Sequence, residues 1–91
     1  MTTVYRDWFD TLRDLRARAR IQVRIERLAY RNAGKHRRIS AAVSELKIDY
    51  GPGYRVYYTE HRGDLIILLA GGDKSSQRFD IEAAIKLAND L

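Results

Sequence analysis

Between Ser44 and Thr59 apolar and polar side chains alternate, and this is the clearest pattern in the chain. Leu46, Ile48, Tyr50, Tyr54, Val56 and Tyr58 fall on even numbers, while Glu45, Lys47, Asp49, Arg55, Tyr57 and Thr59 fall on odd ones. A period of two predicts a pair of strands with one face on a core. Gly51, Pro52 and Gly53 predict the turn, and a hairpin centred on Pro52 sets residue 47 opposite 57 and residue 49 opposite 55. The even face is expected to pack on helices, leaving the odd face open to display chemistry. Leu65 to Ala70, led by Asp64, is uninterrupted apolar sequence and predicts a central strand buried on both sides. His61 to Asp64, with Gly63, supply the turn before it, and Gly71 and Gly72 end it.

Elsewhere the period changes to that of a helix. Val4, Tyr5, Trp8, Phe9, Leu12 and Leu15 recur at helical spacing behind Thr2 or Thr3 as the N-cap. After a break near Asp14 to Arg16, a second helix runs to about Arg31, with Ile21, Ile25, Leu28 and Ala29 inward. Its exposed sides carry Arg18, Arg20, Arg24, Arg27 and Arg31. Asn32 and Gly34 end it, and Lys35, His36, Arg37 and Arg38 read as a basic loop before the sheet. A last helix, capped by Asp73 or Ser76, is expected to bury Phe79, Ile81, Ala84, Ile85, Ala88 and Leu91. The expected class is α+β: an N-terminal helical hairpin on a small antiparallel sheet of about three strands, then a C-terminal helix.

Composition narrows the setting. Ninety-one residues make a single domain, 1–91, and the absence of cysteine removes disulfides and thiolate metal sites, which suits a reducing cytoplasm. No apolar run approaches a membrane span and the N-terminus lacks a signal-peptide core, so a soluble, unexported chain with no membrane partner is expected. The net charge of +5 is unevenly spread, since residues 1–38 hold 11 Lys and Arg against 4 Asp and Glu. Such a field favours nucleic acid, or an acidic protein segment that competes with it. A solvated arginine-rich helix surface accounts for the same charges.

The odd sheet face, basic and aromatic, is a candidate cradle for a phosphodiester and a stacked base, with Lys74 arriving at its edge. Tyr57 either stacks on that base or packs across strands. Lys35, Arg37 and Arg38 are candidate RNA contacts. Lys74, Ser75 and Ser76 either offer helix N-terminal amides to a phosphate or, with Asp73, only cap the helix. His36 and His61 fall in loops and are read as solvated. No metal-ligand spacing, P-loop or Gly-x-Ser-x-Gly is present, so neither metal nor cofactor is expected.

The run SELKIDYGPGYRVYY, followed by LLAGGDKSSQ and a last helix, resembles toxins of the RelE/ParE superfamily, most closely the addiction module killer or HigB-like branch. The resemblance extends through WFDTLRD and RARARIQVRIERLA, so it spans nearly the whole chain. It implies the toxin of a type II toxin–antitoxin pair that arrests translation by ribosome-dependent, metal-free cleavage of mRNA. In that mechanism the substrate's own 2′-hydroxyl attacks the adjacent phosphate. Arg55 matches the family's strand arginine at the scissile phosphate, Lys74 the catalytic basic residue after the glycine, and Lys47 a strand lysine that assists proton transfer or charge. The implied partners are a cognate antitoxin with an acidic segment, the ribosome and mRNA, and operator DNA through the antitoxin complex. Two alternatives share the fold: a ParE-like DNA gyrase inhibitor, and a non-catalytic antitoxin-binding co-repressor. The chain departs from the family in three ways: HigB-type enzymes use a histidine near the site, whereas His36 and His61 fall in loops here. Asp80 stands where some relatives carry a tyrosine, and the family's first strand is missing, which predicts an exposed sheet edge.

Overall fold

A computed structural model describes residues 1–63 and 65–91; Asp64, expected at the head of the apolar strand, lies outside the described residues. The order is α1 (Thr3–Thr11), α2 (Leu15–Ala29), β1 (His36–Arg38), β2 (Ser44–Ile48), β3 (Tyr54–His61), β4 (Leu65–Asp73), a 3-10 turn (Lys74–Ser76) and α3 (Gln77–Asn89). The class is α+β, with one antiparallel sheet in the order β1-β2-β3-β4.

Capping side chains tie the first two helices to the sheet. Thr2 Oγ1 accepts from the Tyr5 amide at 3.0 Å and donates to the Leu69 carbonyl at 2.6 Å, so one hydroxyl both starts α1 and pins it to β4. Asp14 accepts from the amides of Arg16 and Ala17 to start α2, and its second oxygen takes the Tyr50 hydroxyl at 3.0 Å. Arg24 then stitches α2 to the strands by donating to the carbonyls of Ala33, Lys35 and Lys47.

The hairpin register differs from the expected one by two residues. Lys47 pairs with Arg55 and Glu45 with Tyr57, because the turn centres on Gly51, with Gly51 and Gly53 at φ of 55° and 82°. A two-residue slip preserves parity, so the side chains keep their expected faces. On the even face Leu46, Ile48, Val56, Tyr58 and Leu68 pack with Tyr5, Ile21 and Leu28 of the first two helices.

The odd face is not open. Ala84 of α3, with Ile81 and Ile85, packs on Val43, Tyr57, Leu69 and Ala70 and roofs that side. An extra residue in β4 between the pairs Tyr57–Ala70 and Tyr58–Leu68 places Leu69 in this second cluster. Phe79 and Leu91, expected inside, are 75% and 57% exposed.

Two more expectations change. The sheet has four strands because the supposed basic loop forms β1, whose three exposed residues His36, Arg37 and Arg38 pair with Leu46, Glu45 and Ser44. A short charged strand is a stable sheet edge, since it discourages pairing with other chains. The apolar strand β4 is the opposite edge rather than the centre. From Leu68 onward both faces are covered, as a strand at the margin can be when helices flank it, whereas Leu65 at its start is 55% exposed. Before α1 the described residues form no strand; Thr2 alone bonds to the β4 margin, through the carbonyls of Leu68 and Leu69.

The Gly71-Gly72 pair marks where the layers meet. A Cβ on Gly71 would overlap the Trp8 indole of α1, and one on Gly72 would overlap the Asp80 carboxylate of α3 and reach 2.7 Å from Ser76 Oγ. Gly71→Ala is therefore expected to lower stability in urea melts by about 1–3 kcal/mol, the usual cost of overpacking. Trp8→Leu, by vacating the contact, should recover part of that loss in the double variant.

Candidate functional site

At the end of the sheet away from the β3–β4 turn, Lys35, His36, Arg37, Glu45, Lys47, Arg55 and Gln77 surround a cleft of about 420 Å³. Strand pairing builds it. Lys47 and Arg55 are cross-strand partners on the odd face, Glu45 is one pleat away, and β1 carries Arg37 opposite Glu45. The Lys47 amide donates to the Lys35 carbonyl at 3.0 Å, which holds Lys35 at the same rim.

At the cleft's base lies a buried ion cluster. The Glu45 side chain is 3% exposed and receives Arg37 Nε at 3.0 Å, Gln77 Nε2 at 3.0 Å and, as an ion pair, Arg55 Nε at 3.6 Å. Glu45 holds the Arg37 guanidinium above its ordinary pKa through their hydrogen bond. Arg55, 7% exposed at its side chain, also donates Nη1 to the Gly53 carbonyl at 3.0 Å, yet its Nε lacks a hydrogen bond of good geometry. Arg55 is nonetheless among the residues that line the cleft, and the several donors of a guanidinium suit it to an oxyanion. Asp49 at the rim faces Lys35 at 2.9 Å and Lys47 at 3.9 Å, and the Lys35 hydrogen bond pulls its carboxyl below the usual range. In direct ion pairs four cations therefore face two carboxylates, with the Asp73 carboxylate also within Coulombic reach of Arg55.

The expected site residues divide. Lys47, Arg55, Lys35 and Arg37 converge on the cleft. Lys74 is exposed and is not among the cleft's lining residues; its Cβ lies 3.8 Å, and Arg55 Nη1 3.5 Å, from where a Cβ on Gly53 would stand. The two cations thus flank one turn. Arg38 points elsewhere, donating to the Ala41 carbonyl at 3.1 Å, because neighbours in a strand alternate faces. The Ser75 amide and hydroxyl both donate to Asp73, at 2.8 and 2.5 Å, so Ser75 is engaged in capping rather than free for a phosphate. These bonds, the hydroxyl's first, hold the Asp73 carboxyl below its usual pKa. Tyr57 is fully buried beneath α3 with no ring face free for a base, and burial, followed by the Glu45 charge, drives its hydroxyl pKa well upward.

Sequence reasoning placed Glu45 on the correct face without giving it a role, and overlooked Gln77. The available signal was the i, i+2 alternation of Glu45, Lys47 and Asp49 opposite an arginine; Gln77 reaches the cleft only through the docking of α3.

A second depression, of about 630 Å³, lies between α2 and the end of β2, lined by Arg16, Ala19, Arg20, Val23, Arg24, Arg27, Ile48 and Asp49. Its chemistry is different: an apolar floor, with Val23 44% exposed, under a row of guanidiniums. Arg20 also covers the Tyr50 ring at 4.7 Å. Among the described residues no helix is long and apolar enough to cross a membrane, and no three His, Asp or Glu side chains gather for a metal.

Glu45→Ala strips the counter-charge from two arginines and is expected to cost about 3–5 kcal/mol in denaturant melts, as other broken buried pairs do. Tyr57→Phe removes only a hydroxyl with no well-formed hydrogen bond, so the same melts should shift by less than about 1 kcal/mol.

A model of the family described as "Phage derived protein Gp49-like (DUF891)" matches residues 7–91. A Haemophilus influenzae protein described as uncharacterized is 46% identical over 90 residues, covering 99% of this chain and 91% of that protein. No solved structure matches. With the family model spanning all but the first turn of α1, the chain belongs to the phage-derived Gp49-like family.

Proposed function

We propose that this Gp49-like protein is the toxin of a type II toxin–antitoxin pair and that it acts as a metal-independent endoribonuclease on mRNA held in the ribosomal A site. The observation that carries the reading is the buried Arg55 beside Lys47 in a concave site where four cations pair with only two carboxylates. The RelE/ParE-like and HigB-like motifs around Arg55 and Lys74 support it. Cleavage would proceed by attack of the ribose 2′-oxygen on the neighbouring phosphorus. The O2′–P bond forms, the P–O5′ bond breaks, the 2′-proton leaves and the 5′-oxygen gains one, giving a cyclic phosphate and a 5′-hydroxyl. The phosphorane carries about one more negative charge than the diester, and preorganised cations favour it over the ground state.

In this reading Arg55 grips the phosphate, Lys47 supplies charge or assists proton transfer, and Lys74 approaches from the other side of the Gly53 turn. Lys35 and Arg37 hold flanking phosphates, while the arginines of α2 meet ribosomal RNA. The cognate antitoxin would lay an acidic segment with an apolar ridge into the α2 groove, where floor and rim match such chemistry. Operator DNA would be reached through that complex, and the whole cycle belongs to the cytoplasm. Because Lys74 stands outside the cleft, a non-catalytic inhibitor, such as a gyrase-binding protein or a co-repressor, is the second reading.

Arg55→Lys and Lys74→Ala should each lower cleavage by about 100-fold or more, the effect of removing one charge-stabilising donor. RNA-end mapping after induction, with thermal melts to verify folding, measures this. Full cleavage by both folded variants would reject the nuclease, and DNA-damage signalling without new RNA ends would favour the gyrase reading.

A further inference from the structure

The two carboxylates paired with the cleft's cations stand in opposite environments. Glu45 is buried at the base between two guanidiniums, whereas Asp49 sits at the rim, its side chain 60% exposed, between the ammonium groups of Lys35 and Lys47. A buried carboxylate surrounded by donors is costly to detach, while an exposed one exchanges with little loss. Of the four cations, the two lysines are therefore the ones whose counter-ion an incoming anion can replace without disrupting the buried cluster. Asp49 also borders the α2 groove beside Arg20, Arg24 and Arg27, so a carboxylate released from the lysines remains among positive charges.

We propose that Asp49 is the internal counter-anion of the cleft: it holds Lys35 and Lys47 in place when the site is empty and is displaced from them by a phosphate of a single-stranded RNA. The inference rests on the nucleic-acid reading of the cleft but not on cleavage. Asp49 is then a positioning residue that sets affinity. It keeps the two lysines from engaging any passing anion and yields to a ligand whose neighbouring phosphates also reach Arg37 and Arg55. Displacing a tethered carboxylate also differs from displacing free ions. In the native protein the lysines release Asp49, whereas without it they release anions from solution, so the salt dependence must change along with the affinity.

Binding of a short oligouridylate is measured by fluorescence anisotropy at several salt concentrations for the native protein, Asp49→Asn and Glu82→Gln. The last is an equal charge change at an exposed position on α3. Asp49→Asn should bind about threefold to tenfold more tightly, the size that two exposed ion pairs imply. Its plot of log affinity against log salt should steepen by up to about one unit. Glu82→Gln should match the native protein, and the gain should vanish in a Lys35→Met, Lys47→Met background. Equal or weaker binding by a folded Asp49→Asn protein overturns the proposal. So does an equal gain from Glu82→Gln, a gain that survives loss of both lysines, or no oligouridylate binding by any form. Tighter binding by Asp49→Asn with no mRNA cleavage would retain the counter-anion and reject only the nuclease; cleavage without tighter binding would do the reverse.

Discussion

The carboxylate of Glu45 is held out of water between Arg37, Arg55 and Gln77, and the rest of the cleft depends on that constraint. A charge buried in a domain this small persists only when its oxygens are occupied by donors. The two hydrogen-bond donors and the ion-pair partner come from β1, α3 and β3, so one side chain on β2 fixes the relative positions of four elements. It also explains why a three-residue basic strand stays in place at the sheet margin. Arg37 has a partner in register with it, and the Lys47 amide bonds to the Lys35 carbonyl beside it.

The same device prepares the site. Arg55 would spread its guanidinium through many orientations if it were solvated, and ordering it on a ligand would cost conformational entropy. Glu45 and the Gly53 carbonyl remove that freedom in advance at a residue that lines the cleft. Roofing of the odd face by α3 completes the arrangement, because it withdraws Tyr57 from solvent and brings in Gln77. What emerges is a cleft dominated by charge, without the aromatic platform that stacking on a base requires.

Two surfaces of distinct character are therefore linked through one residue. The cleft is polar and suited to an anion, the α2 groove has an apolar floor under guanidiniums, and Asp49, which lines the groove, pairs with the two lysines that line the cleft. Arg24 lies between them, its guanidinium consumed by three backbone carbonyls, so it is structural although its helix neighbours Arg20 and Arg27 are free to meet a partner. An occupant of the groove would sit next to the lysines of the cleft, close enough for binding at one surface to be felt at the other.

Local pattern alone determined the α+β class, the three helices to within a few residues, and which hairpin side chains share a face. Those properties follow from periods of 3.6 and 2, and parity survives even the two-residue slip in register. Lys47 and Arg55 were legible as cations on one face for the same reason, whereas Lys35 and Arg37 were legible only as members of a basic segment with Arg38. Only the tertiary structure decided that α3 covers that face, burying Tyr57, and that the apolar β4 lies at the margin instead of the centre. It likewise made Lys35 to Arg38 a strand's approach and body rather than a loop, which separates Arg37 from Arg38. A sequence period states which side chains turn the same way; what covers each side is set by docking between segments distant in the chain, whose free energy no local window contains.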